Sequence, residues 1–322
     1  MNNIWLIGAG LMAQDYIKVL QGLNQKFTVI GRGVSSSIKC KEETGHEVII
    51  GGLNKFLDTN PKLVSHAIVS VGVEKLYETT KVLLKYGIKN ILVEKPAGLR
   101  KEEFENLVQI TKKNKANIFV AYNRRFYASV LKAKEIIRDD GGVTSFNFEF
   151  TEWGHVISAL KKAEEVKEKW FLANSTHVVD LAFFLGGKPK KICSFTSGGS
   201  DWHTSASVFS GAGISEKDAL FSYQANWESA GRWSVEILTK EHRLILCPME
   251  KLSIQKRGTI DKNLDKTIDY TLDTKYKPGL YLQVSDFLDN KTDNLCSIEE
   301  QSNIQSIYNR IANYDSILQG TI

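Results

Sequence analysis

Cysteine is scarce in this chain, and the four present, Cys40, Cys193, Cys247 and Cys296, stand far apart. With no Cys-x-x-Cys pair, neither a zinc site nor a disulfide framework is indicated, and a reducing cytoplasm is the expected compartment. No apolar run is long enough to cross a bilayer. The apolar N-terminus lacks the basic n-region of a secretory signal and carries Asp15 early. Basic runs interleaved with aromatics are also missing; Lys161-Lys162 is soon followed by Glu164-Glu165, so nucleic acid is not an expected partner. Internal repeats and low-complexity linkers are absent too. What remains, 322 residues of which 42% are hydrophobic and 25% charged, is an ordinary globular composition with room for two domains. A formal charge of +5 suits an anionic small molecule.

The richest stretch begins at Ile4. Ile4-Trp5-Leu6-Ile7 reads as a short strand that runs into Gly8-Ala9-Gly10-Leu11-Met12-Ala13, and a helical pattern follows with Met12, Tyr16, Val19 and Leu20 on one face. In a Gly-x-Gly-x-x-Ala turn the first glycine permits the tight turn and the second lets backbone N–H groups approach a pyrophosphate. Ala13 is small enough for the helix to pack on the strand, and the helix N-terminus favours phosphate charge. Gly8, Gly10, Leu11 and Met12 are therefore expected cofactor contacts. Strands at 27–30, 67–71, 90–93 and 118–121 alternate with helices at 11–23, through Leu76, Thr80, Leu83 and Leu84 up to Gly87, and over 101–113. This rhythm predicts an α/β fold with a doubly wound parallel sheet, a Rossmann domain over residues 1–122.

After residue 122 the rhythm changes. Residues 143–152 alternate as a strand, with Phe146, Phe148 and Phe150 against Asn147 and Glu149, and 175–185 read as a helix. Strands at 190–197, 204–210, 218–227, 232–239, 242–247 and 250–256 follow with only short polar connections, and helical patterns return at 279–289 and 298–318. Residues 123–322 are thus expected to form an α+β domain on a mostly antiparallel open sheet.

Two stretches add chemistry. At the end of the second strand, where an NAD-specific fold usually places a carboxylate for the ribose hydroxyls, the chain reads Gly31-Arg32-Gly33 with Ser35 close behind. Arg32 can fork a 2′-phosphate and the serines Ser35, Ser36 and Ser37 can donate to it, so NADP is expected over NAD. Ser70, at the end of the strand 67–71, is a further expected cofactor contact. Glu94-Lys95-Pro96 ends another strand, and ligands bind beyond the carboxyl ends of parallel strands, so Lys95, with Glu94 beside it, should project toward a nicotinamide. The positive ring would lower the lysine pKa, which suits proton exchange with a sugar oxygen. Read alone, the same tripeptide is ordinarily a solvated turn.

Taken together, Gly-Ala-Gly-Leu-Met-Ala, Glu94-Lys95-Pro96, Tyr122-Asn123-Arg124-Arg125-Phe126 and His177-Val178-Val179-Asp180 resemble the glucose-fructose oxidoreductase / inositol dehydrogenase / rhizopine catabolism (Gfo/Idh/MocA) family along essentially the whole chain. The resemblance implies an NAD(P)-dependent oxidoreductase of sugars or nucleotide sugars, with Lys95 and His177 as the acid/base pair across a cleft. It also implies a homo-oligomer, dimer or tetramer, assembled through the open sheet. Tyr122, Asn123, Arg124, Trp170, Asn174 and Asp180 are the expected substrate contacts. Of Arg124 and Arg125, one is expected on a substrate carboxylate or phosphate and the other in a structural ion pair. Asn174 or Ser175 is a candidate helix N-cap, with Asn174, His177 and Asp180 spaced along one helix face. One departure stands out: sugar-oxidising relatives commonly carry an Asp four residues before the histidine, where this chain has Ala173. That leaves open ketoreduction, a different acid such as Tyr122, or a non-catalytic NADP-binding regulator; a lyase or isomerase that recycles its cofactor internally is a more distant alternative.

Overall fold

All four positions of Ile4–Ile7 (β1) are buried, as required of a strand covered on both faces of a parallel sheet. In the computed structural model, which describes residues 3–314, β1 is flanked by Phe27–Gly31 (β2) and, on its other side, by a later strand. Val48–Ile50 (β3), His66–Val69 (β4), Asn90–Glu94 (β5) and Asn117–Ala121 (β6) complete the parallel part. The sheet order is β6-β5-β4-β1-β2-β3, so the chain reverses its direction of travel at β1. That reversal is the switch point at which doubly wound sheets bind ligands. Leu11–Gly22 (α1) buries Ala13, Tyr16, Ile17, Val19 and Leu20. Val34–Thr44 (α2) and Gly52–Leu57 (α3) follow β2 and β3, and Leu76–Tyr86 (α4) buries Leu76, Thr80, Leu83 and Leu84 before Gly87 ends it. Lys101–Asn114 (α5) starts with a capping box in which Glu103 accepts the Arg100 N–H at 3.2 Å. The sequence reading lacks β3, α2 and α3, whose residues are largely exposed and carry little apolar periodicity.

The second unit starts at Arg124. Ala128–Asp139 (α6) precedes Ser145–Glu149 (β7), and two short helices, Gly154–Ser158 (α7) and Glu164–Glu168 (α8), lead to Thr176–Gly186 (α9). Pro189–Ser197 (β8), Val208–Ser215 (β9), Leu220–Asn226 (β10), Ser234–Leu238 (β11), His242–Leu246 (β12), Ser253–Lys256 (β13) and Asn263–Leu264 (β14) make the second sheet, in the order β14-β13-β12-β11-β7-β10-β9-β8. Every pairing is antiparallel except β7 with β10. One face carries Phe146, Phe148, Phe221 and Tyr223 beneath α9, where the Phe183 ring meets Phe148 and Phe221 edge-on at 5.5 Å. Leu220 and Phe195, 61% and 68% exposed, lie on the other face.

Thr271–Asn303 then belongs to the first unit. It contains Thr271–Lys275 (α10), Leu280–Leu288 (α11), which packs on α1, and Cys296–Ser297 (β15), which adds antiparallel to β6. The sequence reading assigns everything beyond residue 122 to one domain; the chain instead crosses back at 271. Periodicity marks 279–289 as helical but carries no information on which sheet it covers. The last helix, Ile298–Ala312 (α12), ends six residues before the expected 318, and residues 315–318 lie outside the described part of the chain. Among the described residues no helix is long and apolar enough to cross a membrane.

Candidate active site

In the first unit the turn after β1 is shaped by two close approaches. Gly8 has φ +131°, and a Cβ there would lie 2.0 Å from the carbonyl oxygen of Ser70 at the end of β4. Gly31 lies against the same turn from β2, where a Cβ would meet Ser37 Oγ at 2.3 Å and the Ala9 methyl at 3.1 Å. By contrast, a Cβ on Gly10 would find open space. Gly10 is the N-cap of α1 and supplies no side chain, and the first helical bond runs from Gln14 to the Gly10 carbonyl. The N–H groups of the first turn are thus left for a ligand, and the helix dipole makes an anion the favoured one. Leu11 is 75% exposed and Met12 half-buried beside this opening. Ser70 Oγ and Ser37 Oγ are buried without hydrogen-bond partners. Open backbone donors, a glycine-lined approach and two unsatisfied hydroxyls fit a dinucleotide.

Arg32 and Ser35 are exposed at the tip of β2 and the start of α2, and no carboxylate stands at the β2 terminus. Ser37, rather than Ser35, turns inward. It shares the buried face of α2 with Cys40, a three-residue spacing that could have identified it from sequence.

Two strands away from β1, β5 delivers Glu94 and the half-buried Lys95, with the Lys95–Pro96 peptide cis. The Tyr16 hydroxyl, on the helix that begins at the glycine turn, donates to Glu94 Oε1 at 2.7 Å. Burial pushes the Glu94 carboxyl above its ordinary range, and the Tyr16 hydrogen bond and the Lys95 charge pull it partly back. Burial, reinforced by the Glu94 charge, pushes the Tyr16 phenol well up. A clamp therefore ties the carboxyl end of β5 to the helix of the glycine turn. At the end of β6, Tyr122 is 1% exposed and Asn123 donates to the Pro278 carbonyl at 2.9 Å. Asn123 is thereby committed to a structural bond, and Tyr122 is buried at the same strand end.

The second unit carries the histidine. A π-helical turn, Phe171–Ser175, precedes α9, and π turns recur at functional sites. Here Asn174 Nδ2 and Ser175 Oγ both donate to Glu152 Oε1, at 2.9 and 2.8 Å. The capping expectation is corrected by this: Ser175 stands at the N-cap but makes no side-chain cap bond, because Glu152 takes its hydroxyl. Asn174 lies in the π turn and not on the α-helical face of His177. His177 itself is 8% exposed on the first turn of α9, its ring 6.3 Å from that of Trp233.

Arg125 and Asp180 bind each other. Nε donates to Oδ2 at 2.8 Å and Nη2 to Oδ1 at 2.5 Å, with side chains only 4% and 5% exposed. This bidentate pair commits both carboxylate oxygens and corrects the expectation of Asp180 as a substrate contact. Arg124 is left as the second arginine of the pair. Its guanidinium lies 4.8 Å from the Trp233 ring centroid, and burial, followed by the like charge of Arg232, lowers its pKa. Trp170 is 8% exposed and meets Trp202 edge-on at 6.2 Å, within an aromatic cluster.

Sequence reasoning missed Glu152, Arg232 and Trp233 as site groups. Arg232 Nη1 bonds Glu152 Oε2 at 3.3 Å and its guanidinium lies 4.4 Å from the Trp233 centroid. Glu152 could have been found. The stretch read as an alternating strand over 143–152 gives it the parity of Phe146, Phe148 and Phe150; the strand itself ends at Glu149, and Glu152 is 2% exposed just beyond it.

Residues 2–122 match the model of the GFO_IDH_MocA family, described as an oxidoreductase family with an NAD-binding Rossmann fold. No curated protein matches the sequence. Among solved structures, the chain is similar to levoglucosan dehydrogenase in complex with NADH and L-sorbose, at 15% identity over 98% of this chain and 96% of that one, with a TM-score of 0.78. UDP-N-acetylglucosamine 3-dehydrogenase GnnA from Acidithiobacillus ferrooxidans matches at 12% identity over 96% of each chain, TM-score 0.74. A dehydrogenase (MviM) from Clostridium difficile matches at 18% identity over 97% of this chain and 99% of that one, TM-score 0.78.

Proposed function

From the match of residues 2–122 to the NAD-binding Rossmann fold of the Gfo/Idh/MocA oxidoreductases, we propose that the protein transfers a hydride between a nicotinamide cofactor and a hydroxyl or carbonyl of a sugar or nucleotide sugar. The observation that carries this reading is the clamp at β5: Tyr16, from the helix of the glycine turn, fixes Glu94 and so the neighbouring Lys95. Gly8, Gly10, Leu11, Met12 and Ser70 would hold the dinucleotide. The nicotinamide, when bound, supplies or accepts the hydride. Lys95 Nζ holds and exchanges the proton of the reacting sugar oxygen. His177 hydrogen-bonds a substrate hydroxyl, and Glu152, through Asn174 and Ser175, fixes the π turn that leads to it.

NADP is the proposed cofactor. Arg32 stands where a carboxylate would repel the 2′-phosphate, and the unsatisfied Ser37 hydroxyl lies behind it. A charged hydrogen bond contributes about 1.5–3 kcal/mol, roughly a ten- to hundredfold preference. The uncovered face of the second sheet, with Leu220 and Phe195, is proposed to join subunits; a monomer in light scattering would refute that.

The test begins with titration of NADP(H) and NAD(H), read by tryptophan fluorescence. NADP(H) should bind more tightly, and Arg32→Ala should remove most of the difference; equal wild-type affinities refute the preference. A substrate screen read by nicotinamide absorbance follows. Lys95→Ala should leave cofactor affinity nearly intact and lower turnover about 10²-fold or more. A second reading, an NADP-binding regulator, is favoured by Ala173 in place of the usual Asp; cofactor binding with no turnover on any sugar or nucleotide sugar would select it.

A further inference from the structure

We propose that Arg124, Trp233 and Arg232 form an anion-binding subsite beside His177, so that the sugar taken by this protein carries a carboxylate or a phosphate. The proposal rests on the sugar-dehydrogenase reading above and narrows its substrate. The three side chains are in contact: the Trp233 ring centroid lies 4.8 Å from the Arg124 guanidinium and 4.4 Å from that of Arg232, and Arg232 lies 4.8 Å from the Trp153 centroid. Two like charges on one indole repel, and a ring quadrupole offsets only part of that cost.

Glu152 supplies a single carboxylate, and it is shared. One oxygen takes Asn174 and Ser175, and the other takes Arg232 at 3.3 Å. Arg124 makes no ion pair of this kind; the charges of Glu250 and, more weakly, Glu152 act on it through space. Arg124 therefore holds its charge partly out of water without a hydrogen-bonded carboxylate. A charge in that position is costly unless something neutralises it.

The unsatisfied atoms point the same way. Arg124 Nε and Trp233 Nε1 are both buried without an acceptor. Both are donors and nothing else, so the group that completes them must be rich in acceptors and carry none of its own N–H. Carboxylate and phosphate oxygens meet that description, and neutral hydroxyls meet it poorly. Trp233 also lies 6.3 Å from the His177 ring, centroid to centroid. An anion bound there sits on the same molecule whose hydroxyl His177 would hold. Both guanidiniums are held against the indole, and such pre-organisation is what lets an arginine select a planar or tetrahedral oxyanion.

The test is calorimetric titration of the full chain with matched triplets: glucose, glucuronate and glucose 6-phosphate, and the same set for galactose and mannose. It is run with and without saturating NADP⁺. At least one charged member should bind about tenfold or more tightly than its neutral parent, the gain expected of charge-assisted hydrogen bonds. Arg124→Met should erase that ratio while leaving NADP⁺ affinity unchanged. Arg232→Gln, at a half-exposed position, should reduce the ratio and serves should Arg124→Met fail to fold. The ranking of uronates against 6-phosphates identifies which anion is read. Equal binding of neutral and charged members, no binding of any charged member at millimolar concentration, or a preference that survives both substitutions overturns the proposal. A wild type that binds neither NADP⁺ nor NAD⁺ would instead overturn the oxidoreductase reading, and the anion preference would then be scored on the protein without cofactor.

Discussion

Replacing Asp180 by Asn should damage the fold of the second unit before it affects any chemistry. Asp180 Oδ1 and Oδ2 accept Nη2 and Nε of Arg125, and both side chains are about as buried as the core. The Arg125 guanidinium also lies 4.8 Å from the Phe184 ring centroid, which leaves no route to solvent on that side. Asn is nearly isosteric but neutral, so the substitution strands a buried cation. Breaking a buried pair by removing one partner costs about 3–5 kcal/mol. For a unit of this size each kcal/mol lowers Tm by about 2–4 °C, so a fall of about 6–20 °C is expected. Calorimetric unfolding of wild type, Asp180→Asn, Arg125→Met and the double variant Arg125→Met/Asp180→Leu measures it. The double variant should recover most of the loss, because an apolar pair of similar volume removes the stranded charge. A fall below about 2 °C for Asp180→Asn, or a double variant no better than the singles, would refute the ion-pair account. Turnover lost with Tm unchanged would restore Asp180 to the substrate.

His203 makes stability depend on acid. Its Nε2 meets the Tyr314 hydroxyl at 2.9 Å and its Nδ1 the Ala206 carbonyl at 2.7 Å, and burial pushes its pKa down to about 4. The folded value lies below the ordinary value of about 6.5, so the neutral form contributes stability that is complete above pH ~6.5 and lost as pH falls toward ~4, about 3 kcal/mol in all. Urea unfolding across that window should show the slope in wild type and a flatter one in His203→Gln; parallel slopes would remove His203 as the cause. Gly8→Ala should abolish dinucleotide binding and lower Tm, since its Cβ would lie 2.0 Å from the Ser70 carbonyl oxygen at φ +131°. Fluorescence titration showing unchanged affinity would mean that the turn is not the binding loop.

What the sequence determined by itself was whatever local chemistry can write. An apolar strand followed by Gly8, Gly10 and Ala13 has few other uses, and a helix that buries Leu76, Thr80, Leu83 and Leu84 announces itself by its period. The placing of Lys95 at a strand end was equally local, since Asn90–Glu94 is one short apolar run closed by Pro96. The tertiary structure alone decided partnerships. Arg124 and Arg125 are adjacent and chemically identical, and only the approach of Asp180, 55 residues later, commits Arg125 to an ion pair and leaves Arg124 on Trp233. Asn174 and Ser175 look like caps until Glu152 arrives from another element and takes both donors. Nothing in residues 280–297 told which sheet they serve, because an amphipathic face specifies that it must be covered and not by what. Short-range patterns fix backbone conformation at a cost of about 1 kcal/mol per residue. Which buried charge meets which is settled by larger energies that act between residues distant in the chain.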